Sequence, residues 1–197
     1  MPRSKKPVSY LELGVGSAER LASMKPKRGS LRIGIDLNRR KAWHIKAGER
    51  VRREAPGARL VYGKKGDIKT FLRGMINEGR PVQRINAEYV FANLGKQLPF
   101  PEAAWSNIEI ANKEAGDILG LAKQVLTPRG VIRMEVCKFD SHRWKKVLEE
   151  NGFTVGRVTK VPEDKVRSWW GRRYLRSNRR YQHDDYEPTQ IVAKLKG

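Results

Sequence analysis

An apolar strand that runs into a glycine-punctuated turn, followed by a second apolar strand ending on an acid, constrains this chain more than any other feature. It occupies residues 10–38, YLELGVGSAERLASMKPKRGSLRIGIDLN. The run from Val8 to Leu13 reads as a buried parallel strand, and Glu12, Gly14, Gly16 and Ala18 alternate across the turn into a helix expected to start near Ser17. Glycine suits such a turn because it takes backbone conformations that a side chain blocks and lets a ligand approach the main chain closely. The second strand, Leu31 to Leu37, delivers Asp36 at its carboxyl end, where an acid accepts hydrogen bonds from both hydroxyls of a ribose. The layout is that of a nucleoside cradle.

The rest of the chain alternates strand and helix. Arg39 to Arg53 reads as a helix weakened by Gly48, with Trp43 and Ile45 facing the sheet, and Leu60 to Tyr62 as a short third strand. Asp67 is placed to cap a helix running to about Glu78. A fourth strand is expected over Ala87 to Leu94, with Asn93 at its end. A long helix should follow from about Ser106 to Leu126, with Ile108, Ala111, Ala115, Ile118, Leu119 and Ala122 at helical spacing. Thr127-Pro128-Arg129-Gly130 reads as a turn before a fifth strand from Val131 to Cys137. A helix over His142 to Asn151, a sixth strand from Gly152-Phe153 to about Val161 and a last, half-buried strand from Thr189 to Lys196 complete the order. This alternation implies a Rossmann-like α/β fold: a seven-stranded, mostly parallel sheet with helices on both faces and an antiparallel last strand. At 197 residues the chain is the size of one domain, read as 1–197 with a basic arm at 1–7 and an insertion at 162–187.

Charge bounds the partner. Forty-two Lys and Arg against 21 Asp and Glu give a formal net charge of +21, more than solubility requires. A polyanion is the partner this implies, and nucleic acid is the leading one, since Lys and Arg neutralising phosphates supply most sequence-independent affinity. No apolar stretch approaches the roughly 18 residues of a spanning helix, so a membrane is not expected as partner. The single cysteine, Cys137, cannot form an intramolecular disulfide and reads as a small buried hydrophobe. The start, MPRSKKPV, lacks an apolar core of signal-peptide length, so the expected location is cytoplasmic.

The cradle resembles motifs I and II of class I S-adenosylmethionine-dependent methyltransferases: Glu12-x-Gly14-x-Gly16, then Asp36 at a strand end about twenty residues on. Ala18 stands where many members have a third glycine. The dinucleotide fingerprint G-x-G-x-x-G is interrupted by Glu19. The resemblance implies S-adenosyl-L-methionine as cofactor, held by Glu12, Gly14, Gly16, Ser17, Asp36 and Leu37, with Asp67 at the adenine edge and Asn93 lining the pocket; a helix cap accounts for Asp67 equally well. Amino-methylating members carry an Asp/Asn-Pro-Pro-aromatic tetrad where this chain has Asn93-Leu94-Gly95-Lys96, which argues against an adenine N6 or cytosine N4 target. The Pro-Asp-Pro-Trp signature of transfer RNA guanine N7 enzymes is missing. The Lys-Asp-Lys-Glu tetrad of 2′-hydroxyl enzymes is not matched either, with Asn93 and Glu135 at two of its positions.

Residues 165–181, KVRSWWGRRYLRSNRRY, hold seven basic residues, four aromatics and no acid. Lys165, Arg167, Arg172, Arg173, Arg176, Arg179 and Arg180 are candidates to track phosphates, and a helix from about Asp164 would set an aromatic ridge beside a basic one. The rings suit stacking on an unpaired base. In a second reading one tryptophan pins the insertion to the core and only the arginines meet solvent. The chain is also similar, at lower specificity, to ribosomal RNA adenine N1 methyltransferases, whose two tryptophans sandwich the target adenine; the similarity implies that Trp105 with Trp169 or Trp170, together with Asn93, receives the base. The expected partner is thus ribosomal or transfer RNA. His183-Asp184-Asp185 are adjacent residues that seldom converge on one ion, so no metal is expected. Two other readings stay open: a catalytically silent RNA-binding protein on the same fold, and a small-molecule methyltransferase.

Overall fold

The computed structural model describes residues 7–15, 18–24, 30–36, 41–88, 108–167, 172, 175–176 and 187–197. The chain divides into two compact units, one of residues 1–86 and 121–132, the other of residues 87–120 and 133–197.

In the first unit β1 (Val8–Leu13) pairs in parallel with β2 (Leu31–Asp36), which pairs in parallel with β3 (Arg59–Tyr62); the order is β3-β2-β1-β4, with β4 at Val82–Glu88. β1 is buried at every position but Ser9, as a central strand covered on both sheet faces requires, Glu12 included. Helices α1 (Glu19–Ser23) and α2 (Lys41–Glu54) pack with β1 around Tyr10, Val15, Ala18, Leu21, Ala22, Ala47, Val51 and Ala55. Among the described side chains of α2 and its end, the buried stripe consists of Ala47, Val51 and, just beyond the helix, Ala55, at four-residue spacing. Ile45, expected to face the sheet, is 51% exposed. Helix α3 (Ile68–Asn77) begins where Asp67 was expected to cap it.

β5 (Leu126–Cys137) begins in the first unit and ends in the second; the strand order continues β5-β8-β6, with β7 also on β8, where β6 is Phe153–Val155, β7 Thr159–Lys160 and β8 Pro188–Leu195. Both β6 and β7 are antiparallel to β8, which supplies the antiparallel end of an otherwise mostly parallel sheet. The expected sixth strand is split around Gly156, Arg157 and Val158, so the described residues hold eight strands rather than seven. Helix α5 (Lys138–Glu150) lies against β6 and β8 and buries Trp144, Val147 and Leu148. It starts four residues earlier than expected, directly at the end of β5. Helix α4 (Ile108–Val125) carries the expected buried stripe at Ala111, Ala115, Ile118, Leu119 and Ala122. Cys137 is buried, as its place at a strand end suggested.

Two strands start five residues before the expected positions. β4 starts at Val82, five residues before the anticipated Ala87. β5 starts at Leu126, so Thr127-Pro128-Arg129-Gly130 lies inside the strand rather than before it. Gly130 makes this possible: a Cβ there would come within 2.9 Å of both the Thr127 carbonyl oxygen and a Leu126 methyl, so only glycine allows the bend at that point.

Candidate functional site

β1 places Glu12 one residue before its end, paired with Gly34 of β2, and leaves the residue 3% exposed. A carboxylate so deep needs polar company. Tyr10, two residues back on the same face, directs its hydroxyl toward Glu12 Oε2 at 3.5 Å. Beyond β1, Gly14 adopts φ 67, a left-handed conformation that favours glycine. The Val15 N–H then donates to the Ile35 carbonyl at 2.9 Å, tying the turn to β2. The turn also lies directly over Gly34, where a Cβ would come within 2.5 Å of Val15 Cγ2.

α1 was expected to start near Ser17, which lies outside the described residues. It begins at Glu19, with Ala18 in the left-handed region at φ 58, at the position where the resemblance led us to look for a third glycine. Ala18 is fully buried, and its Cβ contributes to the core beside Leu21 and Ala22.

Asp36 ends β2 and pairs in register with Tyr62, the last residue of β3. Burial, together with the carboxylates of Asp36 and Glu12, pushes the Tyr62 phenol well above its ordinary range, so its proton is held firmly. Tyr62 was read from the sequence only as the end of a strand. Its place in this group follows from the register of β2 on β3, for which the sequence offered no signal beyond Tyr62 closing an apolar run three strands into the cradle.

After β3 a 3-10 turn at Gly63–Gly66 brings the chain back under the cradle. Gly66 is buried against the ends of both strands: a Cβ there would lie 2.3 Å from the Asp36 carbonyl oxygen and 2.5 Å from that of Val61. Asp67 follows, and its Oδ1 accepts the Thr70 N–H at 2.8 Å, so it is the N-cap of α3. Glu12, Gly14, Asp36, Tyr62 and Asp67 are thus gathered at the carboxyl ends of three consecutive parallel strands, where open α/β sheets bind ligands. Gly16, Ser17, Leu37 and Asn93 lie outside the described residues.

The donor set suits a nucleoside bearing positive charge. Asp36 supplies acceptors at a strand end for vicinal hydroxyls, Glu12 places a second carboxylate behind the turn, and the protonated Tyr62 retains a hydroxyl donor. Among the described residues no group of three or more His, Cys, Asp and Glu is arranged to hold a metal ion. No described helix is long and apolar enough to cross a membrane.

The basic insertion is entered from β7 and left through β8. Val161 N–H donates to the Pro188 carbonyl at 2.8 Å, and Lys160 pairs with the carboxylate of Glu187, so the two ends of the segment are held together. The helix expected from about Asp164 does not begin there: Glu163–Lys165 is a single 3-10 turn and Val166, at ψ 110, is extended, whereas Arg172, Leu175 and Arg176 are helical. Val161 and Val166 are buried and anchor the segment. Lys165, Arg167 and Arg176 are exposed, whereas Arg172 is half-buried and donates from Nη1 to the Arg167 carbonyl at 2.8 Å. Trp105, Trp169, Trp170, Arg173, Arg179 and Arg180 lie outside the described residues.

No protein-family model matches the chain, and no curated protein sequence does. Solved structures match over nearly its whole length. A precorrin-6y C5,15-methyltransferase from Geobacter metallireducens is 13% identical, with 99% of this chain and 83% of that one covered at a TM-score of 0.54. Fibrillarin from Aeropyrum pernix, solved with natively bound S-adenosyl-L-methionine, is 15% identical over 96% of this chain and 67% of its own, at a TM-score of 0.56. An S-adenosylmethionine-dependent methyltransferase from Thiobacillus denitrificans, solved with S-adenosyl-L-homocysteine, is 15% identical, covering 98% and 87% at a TM-score of 0.55. The chain has the Rossmann-like methyltransferase fold.

Proposed function

We propose that this chain is an S-adenosylmethionine-dependent methyltransferase that modifies RNA, at a ring nitrogen of a base in ribosomal or transfer RNA. The cofactor half of the reading rests on the fold and on the group Glu12, Gly14, Asp36 and Tyr62, whose chemistry fits the ribose and the cationic portion of the cofactor. When bound, the cofactor supplies an electrophilic methyl group on a sulfonium. Asp36 accepts hydrogen bonds from the ribose hydroxyls, Glu12 supports the turn and the aminoacyl end, and Asp67 stands next to the adenine edge while capping α3. Trp105 and one of Trp169 and Trp170 hold the base, with Asn93 beside it. A neutral ring nitrogen already carries a lone pair, so the protein's task is alignment at about 3 to 3.5 Å rather than proton abstraction.

The observation that carries the RNA half is the net charge of +21, with seven of the basic residues set among four aromatics in one segment between β7 and β8. Isothermal titration with S-adenosyl-L-methionine, followed by transfer of a labelled methyl group to total RNA, tests both halves. Absence of cofactor binding refutes the methyltransferase reading. Binding without transfer favours a silent RNA-binding protein. A small-molecule enzyme instead shows no RNA affinity, whereas the RNA reading requires an affinity that falls steeply as salt rises.

A further inference from the structure

The turn that closes the cradle sorts its charges by depth. From Gly63 to Asn77 the chain carries four basic residues, Lys64, Lys65, Lys69 and Arg73, against one acid, Asp67. That acid is half-buried and occupied, since its Oδ1 accepts the Thr70 N–H at 2.8 Å. The other carboxylates of the group lie on the strands: Glu12 is buried, Asp36 is half-buried at the end of β2, and the charge of both reaches Tyr62. Lys64 and Lys65 are instead exposed, and among the described residues no acid forms an ion pair with either.

Exposed lysines are ordinarily a solvated surface. These two differ in that their turn is fixed to the cradle. They follow Tyr62 by two and three residues, at the carboxyl end of β3, where open α/β sheets bind ligands. Gly66, next in the chain, packs so tightly that a Cβ there would lie 2.3 Å from the Asp36 carbonyl oxygen and 2.5 Å from that of Val61. The Lys64 carbonyl accepts the Asp67 N–H at 3.4 Å, which closes the turn onto the start of α3. The backbone of the lysines is thus held at the strand end that delivers Asp36, while their ammonium groups stay in water. Carboxylates within and cations at the rim suit two ligands of opposite charge, a cation inside and an anion across the mouth. The N-terminus of α3 is already taken by the Asp67 carboxylate, so it offers nothing to a small anion. Two adjacent lysines in water fit an extended polyanion better, because each can neutralise one phosphate as a point charge.

Resting on the RNA reading above, we propose that Lys64 and Lys65 bind backbone phosphates of the RNA substrate at the β3 side of the cofactor cradle. This contact belongs to the first unit, whereas the basic insertion belongs to the second, so the turn ties the nucleic acid to the unit that carries the cofactor. The role is one of binding, and no bond is made or broken.

The test uses the full chain and a fluorescently labelled single-stranded oligoribonucleotide, titrated at several salt concentrations. Lys64→Gln/Lys65→Gln should flatten the dependence of log affinity on log salt by about 0.7 for each lysine that meets a phosphate, a loss of about fivefold per lysine at 0.1 M salt. Arg52→Gln/Arg59→Gln is the charge-matched control. Both arginines are exposed, one in the last turn of α2 and one at the first residue of β3, at the opposite end of that strand. The control should keep the wild-type slope, and Lys64→Arg/Lys65→Arg should restore it, which a damaged turn would not do. Thermal midpoints of all variants stay at the wild-type value. Affinity of Lys64→Gln/Lys65→Gln for S-adenosyl-L-methionine stays at or above the wild-type value, since removing positive charge cannot weaken the hold on a sulfonium. The proposal is overturned if the lysine and arginine variants change the slope equally, if the lysine variant keeps the wild-type slope, or if it loses cofactor affinity. A wild-type chain without RNA affinity overturns the RNA reading itself, whereas RNA binding and methylation indifferent to Lys64 and Lys65 overturn this inference alone.

Discussion

Gly66→Ala is the most discriminating single-atom perturbation of the cradle. The added Cβ falls 2.3 Å from the Asp36 carbonyl oxygen, 2.5 Å from the Val61 carbonyl oxygen and 3.0 Å from the Asp36 carbonyl carbon. Ordinary contact between non-bonded heavy atoms begins near 3.5 Å. About 1 Å must therefore be found on both sides, and both obstacles are strand backbone held in the parallel β2–β3 ladder, which cannot rotate away as a side chain can. Overpacking of this kind costs about 1 to 3 kcal/mol. For a chain of this size that lowers the thermal midpoint by roughly 2 to 12 °C. The displaced atoms belong to Asp36, so affinity for S-adenosyl-L-methionine falls with stability, by about tenfold or more if a charge-assisted hydrogen bond to the ribose is lost. Gly74→Ala is the matched control: it lies inside α3 with nothing within 4 Å of the new Cβ, and should raise stability by about 0.5 to 1 kcal/mol without touching affinity. Thermal unfolding and isothermal titration on the three proteins decide the matter. If Gly66→Ala keeps both the wild-type midpoint and the wild-type affinity, the turn does not position Asp36 and the reasoning fails.

Gly34→Ala brings a Cβ within 2.5 Å of Val15 Cγ2 and 3.0 Å of Leu21 Cδ2, both side-chain atoms, so its thermal midpoint should fall less than that of Gly66→Ala, in the same unfolding experiment. Tyr62→Phe tests the phenol. Because the folded-state pKa is raised, the unfolded chain releases this proton first. The associated stability is fully present below about pH 10 and is lost as pH rises beyond it, at no more than about 1.4 kcal/mol per pH unit and less for a partly exposed group. Denaturant unfolding of wild type and Tyr62→Phe between pH 8 and 11 should show the extra alkaline loss only in the wild type, and parallel curves would refute it. Replacing the exposed Lys165, Arg167 and Arg176 by Gln should lower the dependence of log affinity for RNA on log salt by about 0.7 to 0.9 per residue that meets a phosphate, and leave binding of S-adenosyl-L-methionine unchanged.

The parts of the site legible in the sequence are those fixed by local pattern. Glu12 and Asp36 are set by strand alternation and strand ends, Gly14 by the turn that follows β1, and Asp67 by its place before an apolar helix, where it caps as its residue type dictates. What was not legible depends on contacts between distant segments. Tyr62 joins the carboxylates only because β3 pairs with β2 in one register, and the close approach at Gly66 exists only once both strands are in place. Side-chain size also misled: Ile45 was expected on the buried face of α2, yet it is exposed, and Ala47, Val51 and Ala55 lie on that face, small residues whose spacing was the better signal. The sequence TPRG has the composition of a turn, but Gly130 lets the strand bend through it instead of starting after it.

The cradle owes its shape to positions where a side chain is missing. Gly34 admits the Val15 turn against β2, and Gly66 admits the 3-10 turn against the Asp36 carbonyl, so the end of β2 is fixed by two close approaches before any ligand arrives. A site held in this way pays little ordering cost on binding. Ala18 completes the arrangement in the opposite sense. It accepts a left-handed φ of 58 although it carries a Cβ, and that Cβ is fully buried against the α1–α2 core, so packing offsets about 1 to 2 kcal/mol of backbone cost that glycine would have avoided. The entry to α1 is thereby anchored through the core instead of through a flexible third glycine, and the carboxylates of Glu12 and Asp36 stand at the ends of neighbouring strands held in one register.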